Sequence, residues 1–150
     1  MEKFGKSQPV TRREDLRFLT GEGRYVDDIA PANALQSFVF RSPVAHAKIT
    51  ELDVSEARAQ GGVHAVYTVA DLEAGGIGIG MRGMTMKNSD GTDGASPLRP
   101  ILAKDKLRFV GEPIAMIMAE TLTHAKDAAE LIVLDYDELP AKTDIGAGGA

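Results

Sequence analysis

The 150-residue chain contains no cysteine, which removes disulfide scaffolds, zinc ribbons, cysteine-ligated iron–sulfur clusters and thiol nucleophiles together. It has no basic run either. Lys and Arg number 17 against 22 Asp and Glu, a net charge of −5 with the charges scattered, and this balance argues against nucleic-acid binding and against attachment to an anionic membrane surface. Long apolar stretches are missing as well. The longest, Ile114 to Ala119, is six residues, whereas a membrane-spanning helix needs roughly 20. Met1-Glu2-Lys3-Phe4-Gly5-Lys6 shows no apolar stretch behind its charges, so neither a secretory signal nor a lipid anchor is read there. The expected location is the cytoplasm.

What is present is the composition of one soluble globular domain, 43% apolar and 26% charged, long enough to bury roughly 68–70% of its unfolded surface without a metal or disulfide staple. Thr11-Arg12-Arg13-Glu14 has the spacing of a capping box opening a short helix that Gly21 and Gly23 end, with Arg24 to Ile29 irregular or a short strand. Alternation from Leu35 to Arg41 predicts a strand, and Ala47 to Leu52 a second. Asp53 and Glu56 mark a two-turn helix stopped by Gly61-Gly62. Val63 to Val69 is β-branched enough for a strand, and Thr68 with Asp71 caps another helical turn. Gly75 to Pro100, with seven glycines, two prolines and three methionines, has no periodicity and predicts one long surface loop. Leu107 to Val110 and Ile114 to Met118 predict two strands meeting at a Gly111-Glu112-Pro113 corner, the second apolar on both faces and therefore central. Thr121 to Ile132 carries Ala125, Ala128, Ala129 and Ile132 at helical spacing and predicts the longest helix, followed by a strand that Pro140 ends. The class is α+β, a mixed sheet with short helices packed on it. Gly146 to Ala150 predicts a linker or frayed end.

Candidate chemistry is sparse. Gly78-Ile79-Gly80-Met81-Arg82-Gly83 has the spacing of a dinucleotide fingerprint, but it does not follow a strand and does not open an apolar helix. Asp90-Gly91-Thr92-Asp93-Gly94 resembles a calcium loop without the closing glutamate, and a polar turn explains it better. His46, His64 and His124 lack a second ligand at metal-binding spacing. Ser42 beside His46 lacks an orienting acid and an oxyanion hole. Asp27 and Asp28, if extended, point to opposite sides, and read as turn or capping carboxylates. Arg41 at a strand end reads as a surface ion-pair partner. No catalytic, cofactor-binding or metal-ligating residue is therefore assigned.

Four blocks carry more. Phe18-Leu19-Thr20-Gly21-Glu22-Gly23-Arg24-Tyr25-Val26-Asp27-Asp28-Ile29, Phe40-Arg41-Ser42-Pro43-Val44-Ala45-His46-Ala47-Lys48-Ile49, Arg108-Phe109-Val110-Gly111-Glu112-Pro113-Ile114-Ala115, and the run Ala125 to Ala141 occur in this order. Together they resemble the N-terminal α/β hammerhead domain of the large, molybdenum-binding subunit of the xanthine dehydrogenase, aldehyde oxidase and carbon monoxide dehydrogenase family. The resemblance implies a hammerhead domain over residues 1–145, with 146–150 leading toward absent domains. It implies that the parent enzyme hydroxylates an aldehyde, purine, N-heterocycle or carbon monoxide with water. It further implies that molybdopterin with molybdenum is held by later domains and that iron–sulfur clusters and FAD sit on partner domains or subunits, none of them bound by this chain. The expected partners are the remaining molybdopterin-binding domains and the iron–sulfur and flavin subunits, with self-association expected for an isolated piece. The expected role is structural, in assembly, and the isolated chain is expected to be inactive. The alternative is an independent module that binds a nucleotide or other anion through the Gly75–Pro100 loop with Arg82, Lys87 and Arg99.

Overall fold

The computed structural model describes residues 12–144. Contacts within the chain fall into two units, one ending at Ala34 and the other beginning at Leu35.

In the first unit, helix α1 (Asp15–Leu19) starts with Glu14 as its flanking residue, and Glu14 makes no side-chain cap. The predicted box begins at Thr11, which lies outside the described residues; within them the Asp15 carboxylate accepts the Arg12 N–H, three residues back, at 2.8 Å. The helix ends where predicted, with Gly21 at a φ of 75° that L side chains rarely adopt. The following segment is a 3-10 turn at Val26–Asp28 rather than a strand. Asp28 accepts the Tyr25 N–H at 2.9 Å, which turns the segment before it can extend. Tyr25 stacks on Phe18 with ring centroids 5.9 Å apart, and the Arg17 guanidinium lies 5.2 Å from the Phe18 centroid.

Among its described residues the second unit holds eight strands and three helices: β1 (Gln36–Arg41), β2 (Ala47–Asp53), α2 (Ser55–Ala59), β3 (Val63–Tyr67), α3 (Val69–Ala74), β4 (Gly80–Arg82), β5 (Leu98–Pro100), β6 (Lys106–Leu107), β7 (Pro113–Ala119), α4 (Leu122–Glu130) and β8 (Val133–Glu138). The α+β class stands. The single mixed sheet is corrected to three sheets, ordered β1-β7-β3, β6-β2-β8 and β4-β5, in which every pairing is antiparallel. Parallel pairs need a long crossover, and adjacent strands here turn back or change sheet instead.

Strand β7 is central to its sheet, as its apolar sequence predicts. Phe38 and Val66 flank Ile117 from either side, and Ile114, Ala115, Ile117 and Ala119 are buried. Its cover is incomplete, because Met116 is 36% exposed. Helix α4 packs on β1 and β7 through Ala125, Ala128 and Ala129, whose short side chains let helix and sheet approach closely. Thr121 caps it, accepting the His124 N–H at 3.1 Å. A second cluster of Ala47, Ala103, Leu107 and Ile114 lies under the β6-β2-β8 sheet, and Phe40 and Leu52 pack against both clusters. Beyond α2, Gly62 has φ of 81°, and a Cβ there would lie 2.2 Å from His124 Nδ1, so the close approach of ring and turn requires glycine.

The caps reading holds at α3 and shifts at α2. Asp71 accepts both the amide and the hydroxyl of Thr68 at 2.7 Å. Asp53 accepts the Ser55 N–H at 2.8 Å, but the helix-flanking residue is Val54. Arg58 of α2 reaches across to Asp71 at 2.7 Å and to the Val66 carbonyl at 2.9 Å, joining α2, β3 and α3.

The predicted structureless loop is corrected too. Residues 75–100 contain the β4-β5 ribbon, extended by a bridge between Lys87 and Asp93. Gly80 serves close approach of the two strands, since a Cβ there would lie 2.5 Å from the Arg99 carbonyl oxygen. Lys104 bonds Glu73 at 2.6 Å, tying α3 to the segment that follows the ribbon.

Two outcomes test this architecture. Ile117→Ala should cost about 3–5 kcal/mol in denaturant unfolding, the range of a buried large-to-small change, whereas Met116→Ala on the opposite face should cost less than about 1 kcal/mol. Burial pushes the Asp71 carboxyl up, but the Thr68 amide and hydroxyl and the Arg58 charge outweigh it and hold it below the ordinary carboxylate range. A lowered folded value means the carboxylate stabilises above its unfolded pKa of about 3.9 and loses that contribution as pH falls through the folded value. The stability gap between the native chain and Asp71→Asn should therefore stay constant above about pH 5 and shrink steadily in more acidic buffer.

Candidate functional site

The corner between β6 and β7 is the most elaborately held surface feature among the described residues. Glu112 is 3% exposed, and its carboxylate accepts the Arg108 backbone N–H and the Arg108 guanidinium at 3.2 Å. Gly111, with φ of 89°, turns the chain between the two sheets. Its N–H donates to the Ser42 carbonyl at 2.8 Å, and the Ser42 N–H donates to the Glu112 carbonyl at 2.9 Å. Arg41 donates to the Gly111 carbonyl at 2.9 Å. A buried carboxylate needs this degree of satisfaction, since an unpaired one is strongly disfavoured.

What the corner presents is apolar. Phe109 and Val110 are 54% and 65% exposed, between two open grooves. One, of about 400 Å³, is lined by residues including Ala45, His46, Pro140 and Lys142. The other, of about 380 Å³, is lined by Pro97, Leu98, Arg99, Pro100 and Pro113 among others. Arg108 and Phe109 border both.

The residues singled out by sequence fall elsewhere or into local roles. Gly78 to Gly83 enters the β4-β5 ribbon and opens no helix, so the fingerprint spacing has no phosphate-binding geometry behind it. Asp90 to Gly94 is a polar turn: Asp90 accepts the amide and hydroxyl of Thr92 at 2.9 and 2.6 Å. Those bonds from Thr92 hold the Asp90 carboxyl below its ordinary range. Ser42 and His46 are not a pair. The Ser42 hydroxyl donates to the Val44 carbonyl at 2.7 Å, while His46 Nδ1 sits 2.8 Å from the Pro140 carbonyl oxygen. His64 is exposed, 3.9 Å from Glu120, and His124 Nδ1 is buried without a hydrogen-bond partner. Arg41 is not a surface ion-pair partner. It braces the corner carbonyl, a role invisible in sequence because Gly111 is 70 positions away. Of the loop cations, Arg82 is engaged by the Ser96 carbonyl at 3.1 Å and Lys87 by Asp93 at 2.5 Å, which weakens the anion-binding alternative. Arg99 makes no such bond.

Two relatives and two solved structures place this geometry. The family model for the aldehyde oxidase and xanthine dehydrogenase a/b hammerhead domain matches residues 20–140. The chain is a hammerhead domain of that oxidoreductase family. The large subunit of nicotine 6-hydroxylase from Paenarthrobacter nicotinovorans is 40% identical over 142 residues, 90% of this chain and 16% of that protein. The carbon monoxide dehydrogenase large chain of Hydrogenophaga pseudoflava is 34% identical over 88% of this chain and 15% of its own length. In three dimensions the domain is similar to quinoline 2-oxidoreductase from Pseudomonas putida 86, with a TM-score of 0.83, 40% identity and coverage of 92% of this chain and 17% of that one. It is also similar to the Cu,Mo-CO dehydrogenase, at a TM-score of 0.73, 36% identity, 90% of this chain and 16% of that one. The hammerhead chain thus spans about one sixth the length of the relatives it matches. The names of these relatives, large subunit and large chain, mark them as parts of larger assemblies.

No arrangement among the described residues fits molybdopterin. Gly80 is taken up by its close approach to Arg99, Arg82 and Lys87 are engaged within the ribbon, and the orphaned His124 nitrogen lies against Gly62. Among the described residues no three His, Asp or Glu side chains cluster as metal ligands. No helix of the described residues is long and apolar enough to cross a membrane.

The corner's dependence on its carboxylate is measurable. Glu112→Gln replaces one acceptor oxygen by an amide that faces a donor, and should cost about 2–4 kcal/mol in urea unfolding. Truncating the half-exposed Arg108 side chain to alanine, which leaves its backbone N–H on Glu112, should cost about 1–3 kcal/mol.

Proposed function

We propose that this chain is the structural, assembly-forming hammerhead domain of the large subunit of a molybdenum hydroxylase, an enzyme that oxidises an aldehyde, an N-heterocycle or carbon monoxide with water as the oxygen source. The observation that carries the reading is the match at 40% identity over 90% of this chain to only 16% of a hydroxylase large subunit. Molybdopterin with its molybdenum, the reacting substrate and the base belong in this reading to the rest of the subunit. Iron–sulfur clusters and FAD belong to partner domains or subunits that carry the electrons away. Residues 1–145 are the domain, 146–150 lead toward its neighbours, and the assembly resides in the cytoplasm. The chain by itself contributes no catalytic residue.

The domain's share of the work is rigidity and surface. Its two sheets bury a continuous core through Phe40 and Leu52, while large apolar side chains such as Phe109 and Val110 remain in solvent, as expected of a surface that other polypeptide covers.

Intact mass and metal content of the gene product purified from its source test the proposal. A chain several times longer than 150 residues and carrying molybdenum is the expected result. A metal-free chain that ends at Ala150 overturns it, as would hydroxylase turnover by the pure, metal-free domain.

A further inference from the structure

We propose that the Phe109–Val110 corner is a docking knob for an acidic, apolar segment of the same large-subunit polypeptide, an inference that rests on the reading just given. Three observations converge on it. The knob is apolar and rigid: Phe109 and Val110 stand in solvent on a turn whose backbone is held by Glu112, Ser42 and Arg41. A backbone held in place before binding loses little freedom when the corner is covered, which lowers the ordering cost of an interface built on it.

The rim is cationic on an acidic chain. Arg99, Arg108 and Lys142 line the two grooves, and the one acid among the lining residues is Glu112, buried and already bonded to Arg108. Arg99 and Lys142 are exposed and make no hydrogen bond or ion pair among the described residues. Against a net charge of −5, this local excess of positive charge selects a partner surface bearing carboxylates. The shape fits polypeptide: a convex aromatic tip flanked by two open grooves matches a chain segment laid over it, whereas small-molecule sites enclose their ligand in a concavity.

The third observation points to the same polypeptide. Pro140, Ala141, Lys142 and Thr143 form a wall of the larger groove, so the chain leaving β8 runs alongside the knob. A segment tethered there meets the knob at a high effective concentration and needs little intrinsic affinity.

Photocrosslinking in the native assembly decides the question. Phe109 is replaced by the photoreactive analogue p-benzoylphenylalanine in the full-length large subunit within its complex, and the crosslinked peptides are sequenced by mass spectrometry. The expected product joins position 109 to an Asp- or Glu-bearing segment of the same chain. Its yield should fall at least tenfold in the Arg99→Glu, Lys142→Glu double variant, and recover when the crosslinked acid is changed to lysine. Both cations are exposed, so the double variant should keep the circular dichroism of the parent. Absence of a crosslink, a product chiefly with a separate subunit, or a yield indifferent to the charge reversal overturns the proposal. Chain mass and molybdenum content of the same preparation separate the two levels: a long, molybdenum-containing chain without the crosslink removes the docking alone, and a short, metal-free chain removes the hydroxylase reading beneath it.

Discussion

The burial of the Glu112 carboxylate is the constraint on which the rest of this domain turns. The chain passes at that point from the β6-β2-β8 sheet to the β1-β7-β3 sheet, and a passage between sheets leaves backbone groups that neither ladder can satisfy. Glu112 takes the Arg108 amide, Ser42 exchanges backbone hydrogen bonds with Gly111 and Glu112, and Arg41 takes the remaining Gly111 carbonyl. Each partner satisfies a group whose burial alone would be unfavourable. The result is a corner with little freedom and two sheets fixed against each other, with Phe40 and Leu52 shared between their cores.

A rigid corner gives this hammerhead domain a fixed surface. Four of its polar side chains are engaged in holding backbone: Asp71 in capping α3, Thr121 in capping α4, Ser42 in the turn before β2, Glu112 in the corner. Polar groups so used hold the backbone in place, and the Phe109–Val110 corner adds apolar surface. The domain occupies about one sixth of the length of its relatives.

Much of the secondary structure was legible because it is encoded over short distances. Thr68 and Asp71 announce their helix by spacing alone, the alanines of α4 recur at helical period, and the apolar run of β7 marks a central strand. Arg24 to Ile29, open in sequence between an irregular segment and a strand, was decided by Asp28, which reaches back to Tyr25 and winds Val26 to Asp28 into a 3-10 turn. The reading failed for the ribbon, because hydrophobic alternation reports burial, and an exposed ribbon buries almost nothing. The knob was hidden for another reason. Phe109 and Val110 look in sequence like ordinary strand residues, and nothing local tells that the strand ends at Leu107.

The sequence by itself determined the absence of thiol chemistry, the α+β class, the α3 cap, the central strand and, through its four ordered blocks, the family. Those properties depend on residue types or on interactions within a few positions of each other. The tertiary structure alone decided that the pairings are antiparallel and split among three sheets, that Arg41 supports a carbonyl 70 residues away, that Ser42 and His46 turn to different partners, and that Glu112 is buried while Phe109 is not. These follow from closing long loops, and the free energy of closing them is recovered only when several distant contacts form together. No window of the chain contains that sum.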